Sequence, residues 1–241
     1  MAAIKEFFPY NLDLADYLIN CSYKHKYVYM EIPKAASTTI KKMLQLIEVN
    51  GDHSRIPTWS WERNRSPLPL FSKMNVPWRR VFFGDEFFRF SFVRNPYTRI
   101  LSCYLDKFIA DRWDERRSML VSLGLPENSL PTFVDFLYGV EKYPHANIHW
   151  APQEYLLNKR KIDYHYLGRF EQLSVGLEII LQRIAPEMRS ILLSIKDDTH
   201  STNASQQVSK YIESQERLLI RRIYKRDFDS FGYSDNLCGL E

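Results

Sequence analysis

Residues 27–39 of this 241-residue chain, YVYMEIPKAASTT, constrain the fold more than any other stretch. YVYMEI (27–32) is apolar and rich in aromatic residues, as a buried strand is, and Pro33 halts it because proline cannot donate to a ladder. Beyond it, Ile40, Met43, Leu44 and Ile47 recur at the spacing of one helix face. The pattern predicts strand, loop and helix, with Ser37 or Thr38 as the N-cap. The same grammar returns in RFSFV (89–93), the turn Arg94-Asn95-Pro96, and a helix over Tyr97 to Phe108 with Ile100, Leu101, Tyr104, Leu105 and Phe108 on its apolar side. Two such units predict an α/β fold: a central, mainly parallel sheet flanked by helices, with ligands bound at the carboxyl ends of the strands.

The length suits one domain over 1–241, with a P-loop-like nucleotide-binding core in about 27–110 and 160–233 and acceptor-side loops in about 50–85 and 111–155. Residues 50–80 carry Pro57, Pro67, Pro69 and Pro77 with no clear period and read as a functional loop region. Residues 111–145 read as helical with turns, 162–173 as a short strand entering a helix, and Val208 to Phe228 as one charged helix with Leu218, Leu219 and Ile223 on its apolar side.

Composition narrows the function classes. Hydrophobic residues at 45% and charged residues at 26% belong to a packed protein. The net charge of +4 favours anionic ligands mildly, but no long basic run marks a nucleic-acid footprint. Three cysteines without a CxxC pair indicate neither a disulfide framework nor a metal site, and no stretch of about 18 apolar residues suggests a membrane span. A cytoplasmic protein is expected, so the sequons at Asn64 and Asn203 are discounted.

Ile32 to Thr39 combines backbone amides at a helix start, a lysine and three consecutive hydroxyls, a set that suits a phosphate. Without glycines, and with Lys34 three residues before the hydroxyls, it departs from GxxxxGK[ST], which disfavours an ATP or GTP loop. A capped helix with Lys34 on the surface explains the same residues equally well. Arg94 leaves a strand end and Ser102 lies eight residues on, a pairing that can hold a second phosphate, although Arg94 taken alone fits a structural ion pair as well.

Together, IPKAASTTIKKML and FSFVRNPYTRILSCYLDKF resemble the 5'-phosphosulfate loop and the 3'-phosphate motif of sulfotransferases that use 3'-phosphoadenosine 5'-phosphosulfate (PAPS), in particular the Golgi carbohydrate branch that includes chondroitin 4-O-sulfotransferases. NIHWAPQEYL, IDYHYLGRFEQL, HSTNASQQVSKYI and IYKRDFDSFGY continue the resemblance in order, so that it covers about residues 27–233. It implies that Pro33, Lys34, Ala35, Ala36, Ser37, Thr38 and Thr39 hold the 5'-phosphate, with Lys34 at the bridging oxygen. It also implies that Arg94 and Ser102 hold the 3'-phosphate and that Ser201 and Thr202 close over the nucleotide. The Golgi relatives carry a membrane anchor and paired cysteines after the His-Trp segment; here the chain reads LLNKRK (156–161), which suits a soluble, bacterial-type member and places polymeric acceptors in question.

The implied reaction moves a sulfuryl group from PAPS to a hydroxyl of a saccharide, glycolipid or hydroxylated small metabolite, leaving 3'-phosphoadenosine 5'-phosphate; no metal, nucleic-acid partner or oligomeric state is implied. His149, in the family-like Ile148-His149-Trp150, is the leading general base, imidazole having a suitable intrinsic pKa. His53, Asp85 and Glu86 are the other candidates, since related enzymes draw a base from between the two phosphate motifs. Trp59, Trp61 and Trp78 suit either an acceptor cleft or the core, and Arg221, Arg222, Lys225 and Arg226 read as a solvated helix face. Two further readings are a kinase with a degenerate loop and a non-catalytic nucleotide-binding module.

Overall fold

A computed structural model describes residues 7–8, 10–58, 65–74, 77–110, 113–190 and 203–237. In chain order the regular elements are α1 (Leu12–Leu18), β1 (Ile19–Ser22), β2 (Tyr27–Met30), α2 (Ser37–Glu48), α3 (Trp78–Phe83), β3 (Phe88–Val93), α4 (Pro96–Tyr104), α5 (Trp113–Ser122), α6 (Phe133–Lys142), α7 (Gln153–Leu156), β4 (Tyr166–Arg169), α8 (Leu173–Ile184), α9 (Val208–Tyr211), α10 (Ser214–Ile223) and α11 (Lys225–Phe231). The chain divides into two compact units, one of Met1–Val93 with Leu157–Thr199, the other of Arg94–Leu156 with His200–Glu241.

The first unit holds a four-stranded sheet in the order β1-β2-β3-β4. β2, β3 and β4 run parallel, with Tyr27 opposite Phe88 and Phe90 opposite Tyr166, as expected of an α/β chain. β1 adds an antiparallel edge, Ile19 opposite Met30, that the sequence did not announce: INCS mixes polar and apolar residues, yet all four are buried. On one face Tyr27, Tyr29, Phe90 and Phe92 meet Ile40, Met43, Leu44 and Ile47 of α2 and Leu177, Ile180, Leu181 and Ile184 of α8. Each ring or branched side chain buried here contributes about 1.5–3 kcal/mol. The approach of α8 to the sheet demands glycine twice, because a Cβ on either Gly168 or Gly176 would stand 2.4 Å from the Phe92 ring. Trp78 packs its indole against Phe7 and Phe83, with centroids 4.9 and 6.0 Å away, in an aromatic group beside Phe8 and Phe82.

The second unit is helical around Tyr104, Phe108, Phe133, Phe136, Leu137, Trp150, Leu219 and Ile220. Asn95 starts α4, its Oδ1 accepting from the Tyr97 amide at 3.0 Å, and Pro96 takes the first helical position. The helix expected to reach Phe108 continues past Tyr104 as a π-helical turn, Leu105–Ile109. The single helix expected over Val208–Phe228 is instead three. Ile212 is extended, Glu213 and Glu216 form a capping box that starts α10 afresh, and Tyr224 separates α10 from α11. Within α10 Leu219 and Ile220 are buried, while Leu218, expected on the apolar side, is 63% exposed.

Candidate active site

The loop after β2 owes its shape to two left-handed residues. Lys34 has φ 70° and Ala36 φ 62°, and Ala35 between them does not share that sign. Left-handed backbone costs a non-glycine residue about 1–2 kcal/mol, and strain of this kind gathers at ligand clamps. Alternation of sign along three residues turns successive N–H groups into a concavity that suits an anion. The Ala35 N–H donates to the Ile32 carbonyl at 3.2 Å, closing the turn, and the Ala35 side chain is fully buried.

The cap expected from Ser37 or Thr38 is not formed. Ala36 is the N-cap, no side chain caps the helix, and Ser37 opens α2. The hydroxyls of Ser37, Thr38 and Thr39 therefore stand in the first turn, Thr38 exposed and the other two partly buried, as is Lys34. Behind the turn, Lys41 and Glu31 form a buried ion pair at 3.0 Å. A helix start of 12 residues with its positive dipole end uncapped by a side chain can receive a negatively charged group.

In the second unit Arg94 and Ser102 are 5% and 4% exposed, both at or on α4. The Arg94 Nε donates to Thr98 Oγ1 at 3.1 Å, which fixes the plane of the guanidinium. Arg94 is also held by its backbone: Gln153 Oε1 accepts from the Arg94 N–H at 2.9 Å, and Gln153 Nε2 donates to the Arg94 carbonyl at 2.8 Å.

His149 sits partly buried in the turn before α7, its amide donating to Asn147 Oδ1 at 3.0 Å. The neighbouring chain is tied down by groups that the sequence reading missed. The buried Arg99 donates to the carbonyls of Ala151 at 2.9 Å and Ile148 at 3.2 Å, Tyr224 donates to the Trp150 carbonyl at 2.6 Å, and Trp150 Nε1 donates to the Tyr143 carbonyl at 3.1 Å. Asp227 Oδ2 and Oδ1 accept from the Gln153 and Glu154 amides, each at 2.9 Å. Burial pushes the Asp227 carboxyl above its ordinary value and the Arg99 guanidinium below its own. Arg99 lies 49 or more residues before the groups it holds and Asp227 more than 70 after its own, so no local spacing could have revealed them.

The remaining candidates fall elsewhere. His53 lies exposed on a 3-10 turn whose cap is Asp52. Asp85 and Glu86 line a cavity of about 250 Å³ with His25, Lys26 and His165, where Glu86 meets Lys26 at 2.5 Å and Arg80 at 2.7 Å. These contacts hold the Glu86 carboxyl below its ordinary value, with the Lys26 hydrogen bond as the largest cause. Because β2 and β3 are parallel, this cavity faces the start of the strands, about 10 Å of strand away from the loop that follows β2. Asp85 and Glu86 therefore lie at the opposite end of the strands from the loop that carries Lys34. Ser201, Thr202, Trp59 and Trp61 lie outside the described residues.

A family model described as "Sulfotransferase family" matches residues 18–234. Among curated proteins, the chain is 28% identical to carbohydrate sulfotransferase 10 of Xenopus laevis, over 88% of this chain and 66% of that protein. It is 27% identical to carbohydrate sulfotransferase 14 of Mus musculus over 69% and 46% of the two chains, and 24% identical to human carbohydrate sulfotransferase 8 over 90% and 55%. The chain thus spans about half to two thirds of the length of these relatives. No solved structure matches it. Among the described residues, no helix is long and apolar enough to cross a membrane.

Proposed function

Since the chain belongs to the sulfotransferase family, we propose that it transfers a sulfuryl group from PAPS to a hydroxyl of a saccharide, the acceptor class for which its carbohydrate sulfotransferase relatives are named. The observation that carries the proposal is the loop after β2, where left-handed backbone at Lys34 and Ala36 precedes a helix start with no side-chain cap. That arrangement is costly in a bare protein and favourable around a phosphate.

In this reading Pro33 to Thr39 hold the 5'-phosphosulfate and Arg94 with Ser102 holds the 3'-phosphate. The acceptor oxygen attacks sulfur in line. The bond from sulfur to the bridging oxygen breaks, and its electron pair stays on the 5'-phosphate. Lys34 and the loop amides stabilise the charge that grows there, more in the transition state than before it. The acceptor proton passes to His149, whose turn is held from several sides through its backbone. Incubation with PAPS and an array of saccharides tests the proposal: an acceptor should gain about 80 Da, the mass of a sulfuryl group, and only with PAPS as donor. Absence of that addition across neutral, sulfated and uronic-acid saccharides, in protein shown to bind PAPS, contradicts the saccharide assignment.

A further inference from the structure

Gln153 is fully buried at the start of α7, and its side chain does something that filling space does not require. Its amide closes both backbone polar groups of one residue, accepting from the Arg94 N–H and donating to the Arg94 carbonyl, as a neighbouring strand would. The orientation of that amide is set from the other side. Gln153 Nε2 lies 3.4 Å from Asp227 Oδ2, and the same carboxylate takes the backbone amides of Gln153 and Glu154. A flipped amide would turn its oxygen toward two acceptors and its NH2 toward a donor, so only one orientation satisfies every group. The chain from 148 to 154 is meanwhile anchored at its far end by Arg99.

Arg94 is thus held on its peptide by Gln153 and on its Nε by Thr98. A guanidinium binds phosphate through directed, paired hydrogen bonds, and a small rotation of its root displaces both. We propose that Gln153, oriented by Asp227, is a positioning residue for Arg94 and tunes the grip on the donor's 3'-phosphate without touching the nucleotide. This rests on the reading of Arg94 as the 3'-phosphate ligand. It makes a selective prediction, since contacts to the 5'-phosphosulfate are outside the clasp.

The test compares binding of adenosine 3',5'-bisphosphate and adenosine 5'-phosphosulfate, which lacks the 3'-phosphate, to the whole protein and to Gln153→Leu. Affinity for the bisphosphate should fall about tenfold, the scale of one lost hydrogen bond to a charged partner, while affinity for adenosine 5'-phosphosulfate stays within about twofold. In an Arg94→Ala background the Gln153→Leu change should cost the bisphosphate nothing more. Thr98→Val, which removes the contact on Nε and leaves Asp227 untouched, should show the same selectivity and keeps the proposal testable if Gln153→Leu fails to fold. Equal loss of both ligands, or no loss of either, overturns the positioning role. A wild-type protein that does not prefer the bisphosphate overturns the reading of Arg94 beneath it, an outcome distinct from either.

Discussion

At the residue scale, Lys34 joins a strained backbone to a charged side chain, and the two features pull in one direction. The left-handed φ that costs the free protein energy also orients the neighbouring amides, so the strain is consistent with a built anion site. If Lys34 acts on the leaving oxygen, Lys34→Ala should lower kcat by about a hundredfold to a thousandfold while changing the bisphosphate dissociation constant only a few fold. Single-turnover kinetics beside calorimetry separates the two, and equal losses would make Lys34 a binding group only. The base is decided by a pair of variants. His149→Ala should reduce turnover by about a hundredfold or more, whereas His53→Ala, altering an exposed side chain on a 3-10 turn, should leave it within about twofold. The reverse ranking would move the base to His53.

At the element scale, the α8 contact with the sheet is made by glycine on both sides, at Gly168 in β4 and Gly176 in α8. Gly176→Ala should destabilise the fold by about 1–3 kcal/mol, because the added methyl meets a Phe92 ring that has no room to move inside a packed layer. Urea unfolding measures it, and an unchanged midpoint would show that α8 can shift. Elements of this kind were legible in the sequence where local pattern and tertiary demand agree. β2, β3, α2 and α4 follow from apolar period and from Pro33 and Pro96. The two segments proposed to hold phosphate could be read as motifs, since each lies within one strand-loop-helix unit. Three things were not. The edge strand β1 is buried through its neighbours rather than through its own composition. The helix over 208–228 kept a helical period across breaks imposed by a capping box and an extended Ile212. The Arg99 and Asp227 contacts join residues far apart in sequence, so neither charge shows its partner locally.

At the scale of the whole molecule, the many rings of this chain set its response to base. Burial pushes the phenols of Tyr27, Tyr29, Tyr164 and Tyr224 well above their ordinary value and that of Tyr104 up to about 12. Each of these groups keeps its proton more tightly in the folded chain than in the unfolded one. The stability they contribute is therefore complete below about pH 10, where the unfolded phenol also stays neutral, and is lost as pH rises from there toward and beyond 12. Phenolate absorbance from these residues should appear together with loss of helical circular dichroism, in one steep alkaline transition. Phenolate appearing well before unfolding would show that the rings are solvated. The central claim concerns the donor, and it is tested most directly by calorimetry of adenosine 3',5'-bisphosphate against ATP on the wild-type protein and on Arg94→Ala. The account predicts that the wild-type protein binds the bisphosphate at least about tenfold more tightly than ATP and that Arg94→Ala removes this preference, the loss of a charge-assisted pair with phosphate being of that size or larger. Preference for ATP, or a bisphosphate affinity indifferent to Arg94, would contradict it.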